Sequence, residues 1–481
     1  MRNWWPLVAV CLGAFMLLVD VTIVVVALPV LGPDLGASFT DLQWVVDAYA
    51  VALAALLMVT GTLADRFGRR RAYLAGLTVF AMASLACGLA PNAAVLNAAR
   101  VVQGVGAAAM FASTMALLQL AYRGRDRAIA FGVWGAVTGA AAATGPILGG
   151  LLTEHLSWRA IFLVNLPISV AAAVLAVGVL AESRDPAARR IDVPGAVGFT
   201  AGAATLTYGL IRAGTHGWTA TGTLAWFAAA AVALAAFVVV ERRRRHPMLD
   251  LGLLRRASFV GVLVAAALVS AAAFGYTVYT SLWLQTTLDL GAVGAGLALL
   301  PMSGAAFVTS AVTARRLVGA DPRLTVCVGL VLVGVGALTQ SPLSAGSSWP
   351  SVLPGLLLAG VGVGVILPNL SAAAMAAAPV ERSGMAAAAL NTARQLGFAL
   401  GVAALGTVFA HRLAPDPLTD RAATAAALSE ALLAAGCVGL AGAGVVALLM
   451  RGGTTHPGAP APRHRAPDAP GRSGHPLTDA R

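Results

Sequence analysis

Asp20, Asp47 and Arg100 stand where charge is scarce, each inside a run of about 20 apolar residues. An ionised side chain in the middle of a bilayer costs roughly 2.5–3.5 kcal/mol on insertion scales, so it must face a water-filled cavity or an opposite charge. A buried carboxylate is pushed toward protonation by desolvation and toward ionisation by a nearby cation, the two tendencies a reversible proton carrier needs. Asp20 and Asp47, with Arg100 as electrostatic partner, are therefore the candidate proton-coupling site. In LNAARVVQGVGAA, Gln103 follows Arg100 by one helical turn, a candidate cavity residue. The blander reading makes Arg100 a snorkelling residue and one Asp a helix-end partner; the depth of Arg100 disfavours it.

Three further segments carry patterned residues. GTLADRFGRRR (residues 61–71) combines Gly61, Asp65, Arg66, Gly68 and Arg69. Gly61 permits close helix approach and Gly68 a tight turn, while Asp65 pairs with a loop Arg and favours one relative position of two helix bundles. Arg70 and Arg71 read as topology determinants only. In GAVTGAAAATGPILGG (residues 135–150), Gly145 and Gly149 are spaced for close helix packing, Pro146 should bend the helix, and Gly150 follows. In an Ala-rich chain such spacing alone more often means simple packing. ERSGMAAAALNTARQLGFALG (residues 381–401) places Arg394 and Gln395 inside another apolar run, as cavity residues or as helix ties.

The elements that position these residues are membrane helices. Of the 481 residues 59% are hydrophobic and 11% charged, far below the roughly one quarter charged in soluble domains. The runs are continuous and lack the period-two alternation of a membrane barrel. They parse into about fourteen spans, near 6–29, 43–64, 72–91, 94–120, 127–152, 160–181, 194–212, 221–241, 257–284, 291–313, 323–341, 350–378, 384–410 and 424–450. All 32 basic residues are Arg. On this parse 26 lie on one side, 4 on the other and 2 within spans, which by the positive-inside rule puts the Arg-rich side and both termini in the cytoplasm of an inner (plasma) membrane. Removing one hairpin keeps the sidedness, so twelve spans fit as well. The excess of basic charge is thus a topology signal and not a nucleic-acid surface.

Taken in order, these segments resemble the major facilitator superfamily, and within it the fourteen-span drug:proton antiporter group (EmrB/QacA-like). LVDVTIVVVALP (residues 18–29) is similar to that group's first-helix motif, with Val25 where relatives usually carry Asn. Residues 61–71 are similar to the superfamily's loop motif, and 96–108 to its fourth-helix pattern associated with proton transfer. Residues 145–150 are similar to the antiporter motif, with Ala141 in place of its usual Gly. WRAIFLVNLP (residues 158–167) and 381–401 extend the resemblance into both halves.

The resemblance implies an all-α polytopic membrane protein with the major facilitator fold, two six-helix bundles plus two inserted helices. Residues 1–181 form the N-terminal bundle, 182–256 a linker and inserted hairpin, and 257–450 the C-terminal bundle; the Pro- and Gly-rich 451–481 read as a disordered cytoplasmic tail. It implies a proton-coupled exporter of amphipathic drugs or antibiotics by alternating access, driven by the proton gradient without a cofactor. Acidic residues in the first span would also attract cationic substrates. A dedicated exporter of one metabolite or self-made antibiotic would share this architecture. A sensor would need a signalling output that the chain does not display. No GxxxxGK[ST] loop, HExxH pair or catalytic cluster appears, so neither an ATP-driven pump, a metal site nor an enzyme is expected. Cys11, Cys87, Cys327 and Cys437 are scattered singly and imply no disulfide. Partners are a small molecule, protons and lipid, with no periplasmic adaptor specified.

Overall fold

A computed structural model describes residues 4–184, 192–244, 251–316, 320–377, 383–413 and 420–450. The expected tail at 451–481 lies outside the described residues.

The apolar runs become helices: α1 (Trp5–Leu35), α2 (Phe39–Phe67), α3 (Arg69–Gly88), α4 (Ala93–Ala121), α5 (Gly124–His155), α6 (Ala160–Leu163), α7 (Asn165–Val179), α8 (Val193–His216) and α9 (Thr221–Arg243). They continue as α10 (Leu251–Leu254), α11 (Ala257–Phe274), α12 (Thr277–Thr286), α13 (Ala292–Arg316), α14 (Pro322–Gln340), α15 (Leu353–Ala377), α16 (Ser383–Arg412) and α17 (Arg421–Leu449). Local chemistry sets the ends. α1 stops at Gly36 in the left-handed region (φ 58°), which a residue without Cβ enters at little cost. α2 starts on a reciprocal capping box, the Asp41 amide donating to Ser38 Oγ at 3.2 Å and the Ser38 amide to Asp41 Oδ2 at 2.9 Å.

Among the described residues, twelve helical segments are long and apolar enough to cross a membrane, counting α6 with α7 and α11 with α12. The expectation of fourteen spans is not supported by this measure. α5 and α8 fall outside the twelve; α8 dilutes its apolar residues with Gly, Thr and Arg212.

The helices up to α7 pack chiefly on one another, α1 on α5 and α7, and α4 on α2 and α3; those from α11 onward form a second group, α13 and α14 on α15, and α11 and α14 on α17. α8 and α9 pair as a hairpin, and α8 also lies against α2 and α16, across the line where the two groups meet. There the Thr407 hydroxyl donates to the Leu210 carbonyl at 2.7 Å, and the Trp44 and Tyr208 rings lie 6.1 Å apart. The molecule has an Arg-rich end, which holds residues 66–71 and 123–127, and an Arg-poor end opposite it.

Candidate functional site: two buried acids and an interbundle cleft

Asp20, midway along α1, is fully buried and fully engaged. Arg100 Nη1 of α4 donates to its Oδ2 at 2.5 Å, while Gln103 Nε2 (2.8 Å) and Asn165 Nδ2 (2.9 Å) donate to Oδ1. Arg100 also donates through Nε to the Val45 carbonyl (2.8 Å) and through Nη1 to Gln103 Oε1 (2.7 Å). Its guanidinium carbon lies 4.3 Å from the Tyr49 ring centroid. Ser84 Oγ accepts from Gln103 at 2.9 Å and Asn165 at 3.3 Å. Five helices thus close one polar knot inside the N-terminal group. A charge this deep is tolerated because it is paired and hydrogen-bonded on every side.

Asp47 is not part of that knot. It is 0% exposed, and both its carboxylate oxygens lack a hydrogen-bond partner among the described residues. On α2 it shares a stripe with Gln43, Ala54 and Met58, at helical spacings of four, seven and eleven. That stripe faces the C-terminal group: Gln43 Nε2 donates to Tyr279 Oη at 3.2 Å, Thr392 Oγ1 of α16 donates to the Ala54 carbonyl at 3.2 Å, and Met58 packs in one cluster with Ala386 and Ala389. Tyr279 Oη in turn donates to the Val402 carbonyl at 2.5 Å. Asp47 therefore sits on the α2–α16 seam, dry while the seam is closed.

The Gly-rich segment of α5 works on two faces. A Cβ on Gly149 would lie 2.6 Å from the Ile23 carbonyl of α1, and Gly145 abuts Thr22. On another face, a Cβ on Gly150 would lie 2.6 Å from both the Ala292 carbonyl and Val293 Cα, and Gly296 of α13 abuts the Pro146 carbonyl. Ala141 is fully buried. α5 is thereby one point of close approach between the two groups at the Arg-poor end.

Toward the Arg-rich end these helices part. Gly132, about four turns from Pro146 on the same face, would have nothing within 4 Å of an added Cβ, and Phe307, three turns beyond Gly296, is 41% exposed. The result is a cleft between α5 and α13, closed at the Arg-poor end and open toward the Arg-rich end, while α2 and α16 stay in contact from Gln43 to Met58. At the closed end the rings of Phe39, Tyr279 and Phe409 stack 5.0–6.1 Å apart beneath an apolar cavity of about 280 Å³.

Arg394 and Gln395 lie on α16 and are both partly exposed. On α16, Thr392 and Gly406 touch α2, while Gly397 and Gly401 touch Ala267 and Ala271 of α11. Arg394, Gln395 and Phe398 fall on the arc between those two contacts. Arg394 is partly exposed, its Nε has no hydrogen-bond partner, and no carboxylate lies within 4.0 Å among the described ion pairs.

The loop motif is tied within the N-terminal group. Arg69 Nε donates to Asp65 Oδ1 at 2.9 Å, and Arg66 is exposed. Gly68 makes the turn at φ 118°. The expected close approach at Gly61 is corrected: its Cβ would rest 3.8 Å from Ala112, an ordinary contact. The sequence did not flag Glu182, whose carboxylate accepts from the Arg70 and Arg71 amides at 3.2 Å each and caps α3. Ser84 and Asn165 were also missed. Asn165 was legible as the one amide in the apolar stretch IFLVNLP.

The family model of the Major Facilitator Superfamily matches residues 10–402. The multidrug resistance protein Stp of Mycobacterium tuberculosis is 37% identical over 424 residues, covering 86% of this chain and 79% of that protein. The tetracenomycin C resistance and export protein of Streptomyces glaucescens is 34% identical (88% and 79% covered), and the puromycin resistance protein pur8 of Streptomyces alboniger 37% (85% and 82%). In fold, the chain is similar to a peptide transporter POT (TM-score 0.66, 16% identity, 93% and 96% covered) and to the human organic anion transporter MFSD10 (0.64, 18%, 92% and 99%).

Proposed function

The chain belongs to the major facilitator superfamily, and from that premise we propose that it exports drugs or antibiotics across the plasma membrane in exchange for protons. It is a multi-pass membrane transporter and not an enzyme. The observation that carries the reading is the cleft, closed at one end and open at the other, in a chain whose relatives are named for drug resistance and export. The positive-inside rule makes the Arg-rich end cytoplasmic, so the cleft is loaded from inside and both termini lie there.

Residues 1–181 and 257–450 are the two units that rock, with 182–256 carrying the hairpin between them. α5, 32 residues long, and α8, 24 residues long, also cross the membrane, each exceeding the ~20 residues a bilayer needs. That gives fourteen spans and supports membership of the fourteen-span antiporter group.

The two acids divide the work. Asp20 is bound by three donor side chains, and its knot keeps the N-terminal unit rigid. Asp47 carries the coupled proton: an ionised carboxylate without a donor is costly in a dry seam, and opening the seam admits water that relieves the cost. Proton uptake and substrate binding thereby favour opposite-facing states. Asp65, paired with Arg69, tunes which state the N-terminal unit prefers.

The test is ethidium efflux from cells of an efflux-deficient bacterium expressing the chain, with ethidium as a convenient probe. The reading expects loss of dye that stops on adding a protonophore and that Asp47→Asn abolishes at equal abundance. Efflux indifferent to the protonophore would refute proton coupling. Absence of ethidium efflux, with puromycin efflux retained, would favour a dedicated exporter.

A further inference from the structure

Asp20, Asp47, Arg100 and Arg394 lie deep in the helices of the two bundles, and they differ in what they show to the cleft. Asp20 and Asp47 are 0% exposed and Arg100 is 1% exposed. Arg100 is neutralised by Asp20, and Asp47 is shut in the α2–α16 seam. Arg394 alone among these four is partly exposed, on the arc of α16 between its contacts with α2 and with α11. No carboxylate balances it among the described residues.

We infer that Arg394 selects the substrate, and that the cleft takes an aromatic or amphipathic molecule bearing an anionic or acceptor-rich group, such as a carboxylate or phenolate, in preference to a cation. This deepens the exporter reading and rests on it. A guanidinium holds such a group through paired N–H donors, and the partial burial of Arg394 strengthens each bond relative to open water. Gln395, also partly exposed, supplies an amide on the same arc, suited to an acceptor-rich group. Arg125 and Arg127 stand exposed on the first turn of α5, at the open end, where their field raises the local concentration of anions. Asp20 in the first helix, which as sequence would attract cations, and Asp47 in the second are both out of reach.

The experiment uses the full chain purified in detergent and reconstituted in proteoliposomes, with fluorescein as an aromatic anion and ethidium as an aromatic cation. Binding is read by fluorescence anisotropy, folding by thermal unfolding. The expected result is tighter binding of fluorescein than of ethidium, with fluorescein weakened at least tenfold in Arg394→Gln, partly restored in Arg394→Lys, and ethidium unchanged. A purely structural Arg394 would shift both probes together and lower the unfolding midpoint, which would overturn the inference. Tighter binding of ethidium, or no binding of either probe by the wild type, would overturn it too. Proton-driven transport is scored separately in the proteoliposomes. If fluorescein binds through Arg394 yet neither probe moves, the exporter reading fails while the selectivity stands; if ethidium alone moves, the selectivity fails while the exporter reading stands.

Discussion

Asp20 and Asp47 are equally hidden from solvent, yet their surroundings assign them opposite sensitivities. Arg100→Ala leaves the Asp20 carboxylate buried without its cation, so we expect about 3–5 kcal/mol of destabilisation, read as a lowered thermal midpoint in detergent and reduced abundance. Asp47→Asn removes no hydrogen bond, and its expected cost is below about 1 kcal/mol, within the range of a mild substitution, while coupled transport is lost. Equal destabilisation by the two changes would mean that Asp47 has a partner in the membrane. From sequence the rarity of intramembrane charge identified Asp20, Asp47 and Arg100, because the desolvation cost leaves few tolerated uses, and one-turn spacing from Arg100 added Gln103. What stayed hidden was which acid meets the Arg. Asp20 and Arg100 are 80 residues apart, and their pairing depends on how α1 and α4 rotate about their axes.

At the scale of elements, α5 and the turn between α2 and α3 carry the sharpest expectations. Gly150→Val places atoms where the α13 backbone now lies, so the Arg-poor contact should open. Cysteines at 154 and 293, where Glu154 accepts from the Val293 amide at 3.1 Å, should cross-link readily in the parent and several-fold less in the Gly150→Val background. At Gly68, φ 118° and the nearby Glu182 carboxylate both oppose a side chain, and Gly68→Ala should cost more than about 1 kcal/mol. Glu182→Gln, which weakens only the cap on α3, should cost about 1 kcal/mol or less, both measured by thermal unfolding. Helix positions were legible from apolar runs and Arg-bearing breaks. The number of crossings was not, because α8 is Gly- and Thr-rich and reads as marginal by apolarity alone, and the breaks at Val164 and Gly275 fall inside continuous apolar sequence. The role of Glu182 needed the end of α7 to be brought beside the start of α3, 107 to 112 residues away in sequence.

Across the whole molecule, two helix groups touch along α5–α13, α2–α16 and α1–α12, and a hairpin straddles one of these lines. Among the described residues, the α2–α16 seam holds a carboxylate without a donor, and the Arg394 guanidinium of α16 has no carboxylate partner. On the proposed mechanism, rocking the groups opens the seam as it closes the cleft, so that a proton and a substrate favour opposite-facing states. The most direct measurement is uptake of a fluorescent substrate into proteoliposomes containing the purified chain, with the lumen made acidic and then with no gradient. The account predicts accumulation only with the inside-acid gradient, collapse of that accumulation in Asp47→Asn, and retention of passive exchange in the same variant. Accumulation without a gradient, or gradient-driven accumulation that persists in Asp47→Asn, would contradict the assignment of the coupled proton to Asp47.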